Sequence, residues 1–512
     1  MAWRWVLAAI LATLSLSLLG SAYDEFTSDT LINNVVQDPI TSQLYVGTVN
    51  ALYQLDQSLH PEAHTRTGPE LDNRQCTPPV TSCEEAVETD NHNKLLLIHP
   101  SKDTLIVCGS LYRGICSLRN LSNVEQLLYF SDTKGEKSYV ASAEEGVSVV
   151  GVMSYYFNKD KGNFTVFLVA KGYGSHDSTK LISTRILQVH SDWVLFDSII
   201  EASAVQSNPF TLRYLHDFRH VFKDEGFVYF LFSRTLGAQD SGTKNFTFIS
   251  RMCENDHNYY SYTELQLNCS AGEQVQQGSG SLRDPPGEAL AKNMSSSGCV
   301  CGVQLRTTTA SSSAVCMYPL RAINQRLVEI IGACYSTKGQ INNKSALCKL
   351  KMRFKGMVTN QKCGAEFLPS PLASRAEFAL ATDPVFTKKG LMTAVAVAVG
   401  NGARRCLPGD YLGEVLKLHL STSPEVYGRA PGENTGDKVN KNLLFDTSLT
   451  HLYITTEKKI TKVPVQACHL KTDCQSCVAQ KDPYCGWCVL QEGSVICLIL
   501  CNNGMGIIMH ST

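Results

Sequence analysis

A strand–turn–strand rhythm recurs along more than 400 residues of this 512-residue chain. Short runs rich in Val, Ile, Leu, Tyr and Phe are bounded by Gly, Pro, Asp, Asn and Ser, and each group of runs predicts a β-meander. The clearest meanders span residues 31–56, 94–119, 225–253 and 441–465, with a looser one at 162–174 and 183–187. Repeated meanders without an intervening linker favour a β-propeller. The alternative is a pair of β-sandwich domains.

The first 22 residues are typical of a secretory signal peptide. Arg4 supplies a positive charge, residues 6–19 form an apolar run, and residues 20–22 are small. The run is too short to span a bilayer comfortably, although an N-terminal membrane anchor is the alternative. No later segment has 18 consecutive apolar residues, so we expect no transmembrane helix in this chain and a location in the secretory pathway or outside the cell.

Secretion makes disulfide bonds the default state of the 20 cysteines. Several of them cluster in residues 468–488, where two C-x-x-C pairs are separated by seven residues. A zinc ribbon needs a longer separation, so we interpret the cluster as a small cystine-stapled module and expect neither a metal nor a cofactor. Six N-x-S/T sequons mark expected surface positions: Asn120, Asn163, Asn245, Asn268, Asn293 and Asn343.

Charge and motifs argue against several functions. The 46 basic and 47 acidic residues form no long run of one sign, which argues against nucleic-acid binding. The sequence has no H-E-x-x-H, G-x-S-x-G or P-loop motif, and its 13 histidines lack the spacing of metal ligands. We therefore expect no enzyme and no catalytic residue, although a propeller glycosidase with a site assembled from distant loops is an alternative.

The cluster "CHLKTDCQSC…DPYCGWC" resembles the PSI module of plexins, semaphorins and integrins. Before it, the stretches "LYVGTVNALYQL", "TGPELDNRQCTPP", "CGSLYRGICSLRNLS", "GEKSYVASAEEGVSVVG" and "NYYSYTELQLNC" resemble the sema domain of plexins, most closely the B-type. The resemblance covers residues 30–493. A semaphorin-like secreted ligand is the alternative within this class, but its PSI motif usually has an acidic residue where this chain has Cys488.

The resemblance implies an all-β chain in which a seven-bladed propeller, the sema domain of residues 23–466, is followed by a divergent and incomplete PSI module at 467–512. It also implies that the N-terminal segment closes the last blade. As for function, it implies a semaphorin-binding receptor ectodomain in axon guidance and cell migration. Class 4 semaphorins are the expected ligands, and other plexin or co-receptor chains are further partners. The likeness stops after residue 493, so we expect a soluble form truncated after its first PSI module; an incomplete gene model is the alternative.

The same resemblance implies a pattern of disulfide bonds. The expected pairs are Cys76–Cys83, Cys108–Cys116, Cys253–Cys363, Cys269–Cys316, Cys334–Cys348 and Cys468–Cys485. The PSI region has seven cysteines where the plexin module has eight. Cys474 is the expected orphan, because its usual partner lies beyond the end of the likeness.

One segment is a candidate for contact with a ligand. Residues 131–146, "SDTKGEKSYVASAEEG", form a charged loop free of sequons, in a part that resembles the region plexins use to meet semaphorins. A solvated hairpin is the alternative. The charged residues that we propose for ligand binding are Asp132, Glu136, Lys137, Glu144 and Glu145.

Overall fold

The three-dimensional structure, a computed structural model, describes most of the strand-forming parts of the chain. The described residues are 23–74, 84–130, 139–158, 162–172, 181–187, 195–198, 216–236, 244–256, 259, 261–269, 290–292, 299–307, 311–335, 340–341, 344–345, 378–400, 403–419, 425–429, 437–465, 473–475, 485–487 and 496–498. The expected signal peptide lies outside them.

The described residues are mainly β-strands, as predicted. In the first part of the chain the strands are β1 (Asp24–Thr27), β2 (Ile32–Gln37), β3 (Leu44–Thr48), β4 (Ala51–Leu55), β5 (Pro61–Arg66), β6 (Glu70–Asp72), β7 (Val87–Thr89), β8 (Leu95–His99), β9 (Thr104–Cys108), β10 (Cys116–Asn120), β11 (Leu127–Tyr129), β12 (Val149–Asn158), β13 (Gly162–Lys171) and β14 (Ile182–Ile186). Two short 3₁₀ turns flank β9, at Pro100–Lys102 and Leu111–Arg113.

The second part continues in the same way and adds one α-helix. Its elements are β15 (His216–Asp224), β16 (Phe227–Leu236), β17 (Lys244–Cys253), β18 (Thr263–Cys269), β19 (Leu290–Lys292), β20 (Cys299–Thr307), β21 (Ser311–Pro319), α1 (Leu320–Tyr335), β22 (Gln340–Ile341), β23 (Lys344–Ser345), β24 (Leu380–Thr382), β25 (Pro384–Lys389), β26 (Met392–Gly400), β27 (Ala403–Asp410), β28 (Leu416–His419), β29 (Glu425–Arg429), β30 (Leu444–Phe445), β31 (His451–Thr455), β32 (Lys459–Pro464), β33 (Cys485–Trp487) and β34 (Ile496–Leu498).

The strands form a propeller-like series of sheets. Six sheets have four or five strands: the first (β2–β5), the second (β8–β11), the fourth (β15–β18 with β24), the fifth (β19–β21 with β25), the sixth (β26–β29) and the last (β30–β32 with β1). The third (β12–β14) has three strands in the described residues. Three two-stranded pairs, β6–β7, β22–β23 and β33–β34, lie outside this series.

The predicted meanders correspond to these sheets with one difference. Residues 31–56 and 94–119 each contain three consecutive antiparallel strands, of the first and second sheets. Residues 441–465 contain β30, β31 and β32. Residues 225–253 instead form one long hairpin of two ten-residue strands, β16 and β17, paired from Phe227↔Cys253 to Leu236↔Lys244. The alternating apolar residues there extend each strand rather than starting a third.

The N-terminal strand completes the last sheet, as the resemblance implied. Strand β1 pairs antiparallel with β32, in register from Asp24↔Lys462 to Thr27↔Lys459. Two asparagine side chains just before β30 also bond to the backbone at the start of β2. Asn440 Nδ2 donates to the carbonyl oxygen of Ile32 at 2.9 Å, and Asn442 Nδ2 donates to that of Asn33 at 3.0 Å. These bonds join residues more than 400 positions apart and hold the last sheet against the first.

The hydrophobic core lies between successive sheets. Leu52 of the first sheet packs with Leu96 and Leu105 of the second, and further clusters join the second to the third and so on to the last. Each side chain of this size contributes about 1.5–3 kcal/mol when it is fully buried. Face-to-face packing of sheets therefore supplies most of the apolar burial.

Candidate functional site

The described part of the candidate segment is residues 139–146, which follow the second sheet and precede the third. Glu144 and Glu145 lie in it, whereas Asp132, Glu136 and Lys137 lie outside the described residues. The structure therefore places two of the five predicted residues side by side, and it tests neither their role nor that of the other three.

Gly114, in the loop between β9 and β10, holds the start of this segment. Its carbonyl oxygen accepts the backbone N–H groups of Val140 at 3.0 Å and Ala141 at 2.8 Å. An isolated β-bridge joins Ile115 to Tyr139. Gly114 has φ +84°, and a Cβ at this position would lie 2.4 Å from the carbonyl carbon of Ala141. Both the backbone conformation and the close approach therefore require glycine.

The side chain of Lys94 makes hydrogen bonds to the other end of the segment. Its side chain is buried, and Nζ donates to the backbone carbonyl oxygens of Glu144 at 2.7 Å and Glu145 at 2.8 Å. Burial first, and then the nearby positive charge of Lys441, lower the pKa of this amine to about 8, while the carboxylates of Glu145 and Glu144 act in the opposite direction. A second buried amine, Lys171 Nζ, donates to the carbonyl oxygen of Ala141 at 3.3 Å.

The two carboxylates differ in exposure. Glu144 is half-buried, and its backbone N–H donates to Ser142 Oγ at 3.2 Å. The side chain of Glu145 is 67% exposed, and one of its oxygens lies 3.8 Å from His92 Nδ1. Glu145 thus presents a negative charge to solvent from a backbone that is fixed at several points. This arrangement suits recognition of a basic partner surface, because a preorganised loop loses little conformational freedom on binding.

Sequence reasoning missed the residues that hold the segment. Lys94 precedes an apolar strand, where a lysine is usually solvated, and no local pattern signals that its partners lie 50 residues further on. Gly114 carried a weak signal, since a glycine between two strand-forming runs often occupies a positive-φ turn position.

A disulfide bond between Cys108 and Cys116 closes the loop that carries Gly114. A second bond joins Cys269 to Cys316, and both are at predicted positions. Cys253 is disulfide-bonded as well, and its predicted partner Cys363 lies outside the described residues. The side chains of the other predicted pairs are not described, so these pairs stay predictions: Cys76–Cys83, Cys334–Cys348 and Cys468–Cys485.

The structure describes the surroundings of three sequon asparagines. Asn163 is exposed on β13, where it pairs with Phe157 of β12. Asn120 is partly buried, and its Nδ2 donates to Gln126 Oε1 at 3.0 Å. Asn268 is partly buried on β18, and its Oδ1 accepts from Gln266 Nε2 at 3.0 Å. Asn245 lies on β17, and Asn293 and Asn343 lie outside the described residues.

Over the described ranges, no group of three or more His, Cys, Asp or Glu side chains is arranged to hold a metal ion. Nor does any helix in that part of the chain combine the length and apolar character needed to cross a membrane.

The chain is similar to known plexins. The plexin-repeat family model, PSI, matches residues 467–496. Plexin-B2 of Mus musculus is 34% identical over 507 residues, which are 95% of this chain and 26% of that protein. The chain therefore spans about a quarter of the length of this relative.

Solved structures agree with this similarity. The plexin A4 full extracellular region matches with a TM-score of 0.75 and 26% identity, over 91% of this chain and 49% of that one. A chain from the complex of Drosophila Plexin A with Semaphorin 1b matches with a TM-score of 0.60 and 14% identity, over 94% of each chain, and supports the fold alone. The predicted resemblance to a plexin ectodomain is confirmed, and B-type plexins are among the relatives that match.

Proposed function

We propose that this chain, a plexin homologue with the fold of a plexin ectodomain, binds semaphorins as part of a cell-surface receptor in semaphorin–plexin signalling. The observation that carries the proposal is the fixed loop at residues 139–146. Its backbone is held by Gly114 and Lys94, while the Glu145 carboxylate faces solvent. In this proposal Asp132, Glu136, Lys137, Glu144 and Glu145 form one charged surface that contacts a basic patch of a class 4 semaphorin.

The comparisons favour a receptor over the alternatives. The relative at 34% identity is a B-type plexin, which is a finding in favour of a receptor. A chain of similar fold also stands in a complex of Drosophila Plexin A with Semaphorin 1b. We extend this pairing to the present chain and assign it recognition rather than catalysis, at the cell surface or outside the cell. Other plexin or co-receptor chains are proposed as further partners.

We also propose that the seven sheets are the blades of one closed propeller, which forms a sema domain over residues 23–466 with a PSI module at 467–512. Seven apolar clusters support this, because each joins one sheet to the next and one of them joins the last sheet to the first. The three-stranded third sheet has an additional isolated bridge between Arg185 and Ser198, which we interpret as part of a fourth strand. Residues 1–22 are proposed to be removed during secretion.

The binding proposal is tested by reversing charge on the exposed loop. We expect Glu145→Lys to slow association with a class 4 semaphorin by roughly fivefold at low ionic strength, and by less at high ionic strength, because exposed rim charges mainly steer association. The combined variant Glu136→Lys with Glu144→Lys should act in the same direction. Surface plasmon resonance at two salt concentrations measures both rates.

The matched control is Glu125→Lys. Glu125 is exposed in the turn between β10 and β11, at the opposite end of the same sheet from Gly114. It should leave association unchanged. Equal association rates for Glu145→Lys, the combined variant and the unmodified chain, with normal secretion, would move the binding surface to another edge of the propeller.

A further inference from the structure

A separate cleft lies between the outer strands of the first and second sheets. It has a volume of about 220 Å³ and none of its lining residues belongs to the loop at 139–146. Arg66 at the end of β5 lines one side, and Ser117 and Arg119 of β10 line the other. Leu127 of β11 and Phe130 complete the wall.

Arg119 is the unusual group in this cleft. Its side chain is only 9% exposed, and Nη1 donates to the carbonyl oxygen of Val124 at 2.9 Å. Among the described residues its Nε has no hydrogen-bond partner, and no carboxylate contributes to its pKa shift. Burial lowers its pKa. A buried guanidinium without a countercharge is unfavourable, because water is lost and nothing replaces it.

The other polar groups of the cleft do not supply that countercharge. Arg66 is a second cation, and its Nε donates to the carbonyl oxygen of Gly68 at 2.6 Å. Glu70 also lines the cleft, but it is exposed and is paired with neither arginine among the described ion pairs. The cleft therefore has one buried cation, Arg119, and one exposed cation, Arg66, and an added anion would neutralise the buried one.

The exposed part of the cleft is apolar. Leu127 is 49% exposed and Phe130 is 44% exposed, and the Phe130 ring lies 6.2 Å from the ring of Tyr112, which also lines the cleft. Large apolar side chains grouped at a concave surface mark a binding site more often than isolated ones do. The cleft thus has a buried cation, Arg119, and exposed apolar side chains, Leu127 and Phe130, at its opening.

We propose that this cleft binds a carboxylate that carries an apolar group. The carboxylate accepts hydrogen bonds from Arg119, and the apolar group packs on Leu127 and Phe130. Planar guanidinium and carboxylate groups form strong charge-assisted hydrogen bonds, which suits Arg119 to this ligand. Either a free small acid or the acidic side chain of a partner peptide flanked by apolar residues has this chemistry. The inference is independent of semaphorin binding.

The test uses the secreted full chain and saturation-transfer difference NMR. The small-acid probe is 3-phenylpropionate, for which we expect a Kd on the order of 1 mM, and its uncharged counterpart is 3-phenylpropionamide. The peptide probe is acetyl-Phe-Glu-Phe-amide, compared with acetyl-Phe-Gln-Phe-amide. We expect Arg119→Met to weaken binding of the charged probes by about tenfold or more, and binding of the uncharged ones by little.

A second variant keeps the test decisive if Arg119→Met is not secreted. Leu127→Glu places a competing carboxylate at the mouth on an exposed side chain, and it should weaken binding as well. Its matched control is Leu128→Glu, which adds the same charge one residue further on, at a 45% exposed position that does not line the cleft. This control should bind like the unmodified chain.

The outcomes separate clearly. Preference for the peptide would identify a partner segment as the ligand, and preference for the small acid would identify a free ligand; both support recognition of a carboxylate. Equal binding of charged and uncharged probes, absence of binding by both charged probes, or unchanged binding in Leu127→Glu would overturn the proposal.

Discussion

Replacing Lys94 by Met is expected to loosen the loop at 139–146 without unfolding the sheets. The ammonium donates two hydrogen bonds to backbone carbonyls, and bonds from a charged group contribute about 1.5–3 kcal/mol each, or about 3–6 kcal/mol together. Against this, a pKa lowered from 10.5 to about 8 means that holding the charged amine costs about 3 kcal/mol. The difference between these two contributions is about 0–3 kcal/mol, and we take its middle, about 1–2 kcal/mol, as the expected net loss of local stability.

Hydrogen-exchange mass spectrometry measures this loss directly. A local loss of about 1.4 kcal/mol corresponds to a tenfold faster exchange of peptides covering 139–147, while peptides covering β16 and β17 should be unchanged. Lys102→Met is the matched control, because Lys102 is an exposed lysine of the same sheet region. Unchanged exchange at 139–147 in Lys94→Met, or equal acceleration across the whole chain, would refute the reasoning.

The lowered pKa of Lys94 also gives this prediction a pH dependence. Below pH 8 the amine is charged whether the loop is closed or open, so the full cost of burying the charge is present. Between pH 8 and pH 10.5 the closed state releases its proton first and the open state binds more protons, so closing becomes more favourable as pH rises. Protection of 139–147, corrected for intrinsic exchange, should increase in this window in the unmodified chain and not in Lys94→Met.

Three further predictions follow from the described residues. Gly114→Ala should destabilise the loop by at least about 2 kcal/mol and reduce secretion, because the new Cβ meets the Ala141 backbone at a positive φ; normal secretion and exchange would contradict this. Cys474 carries an exposed free thiol, so Cys474→Ser should reduce disulfide-linked dimers on non-reducing gels, and a purely monomeric unmodified chain would argue against it. Glycopeptide mapping should find Asn163 occupied and Asn268 unoccupied, because Asn268 is partly buried and bonded; a glycan on Asn268 would disprove this.

Strand positions could be predicted from the sequence because they depend on local alternation and turn residues. The helix α1 was missed, although its buried residues Leu320, Ile323, Leu327 and Ile330 have helical spacing. It directly follows the strand-forming residues of β21, and a single helix is easily missed among many segments of strand-like alternation. The apolar face of α1 is buried in the cluster between the fourth and fifth sheets, so tertiary packing as well as helical periodicity fixes it there.

The candidate site was predicted less completely for a different reason. The acidic residues of the loop are recognisable in the sequence as a charged segment. Their ability to bind a partner, however, depends on hydrogen bonds that fix the loop backbone. The residues that fix the loop are Lys94, just before β8, and Gly114, between β9 and β10. Only the pairing of these strands brings both of them close to residues 140–145. Long-range contacts of this kind leave no local pattern in one sequence.

The loop between β9 and β10 links the two proposed binding features physically. Gly114 in this loop holds residues 140 and 141 on one side, and Gly109 and Ile115 line the cleft of Arg119 on the other. The Cys108–Cys116 disulfide closes the loop at its base, and the Asn91 side chain accepts the backbone N–H of Ser110 at 2.9 Å. Because this frame is fixed covalently and by hydrogen bonds, residues 139–146 and the cleft are both preorganised. Charge and shape at the two surfaces should therefore decide binding more than loop rearrangement does.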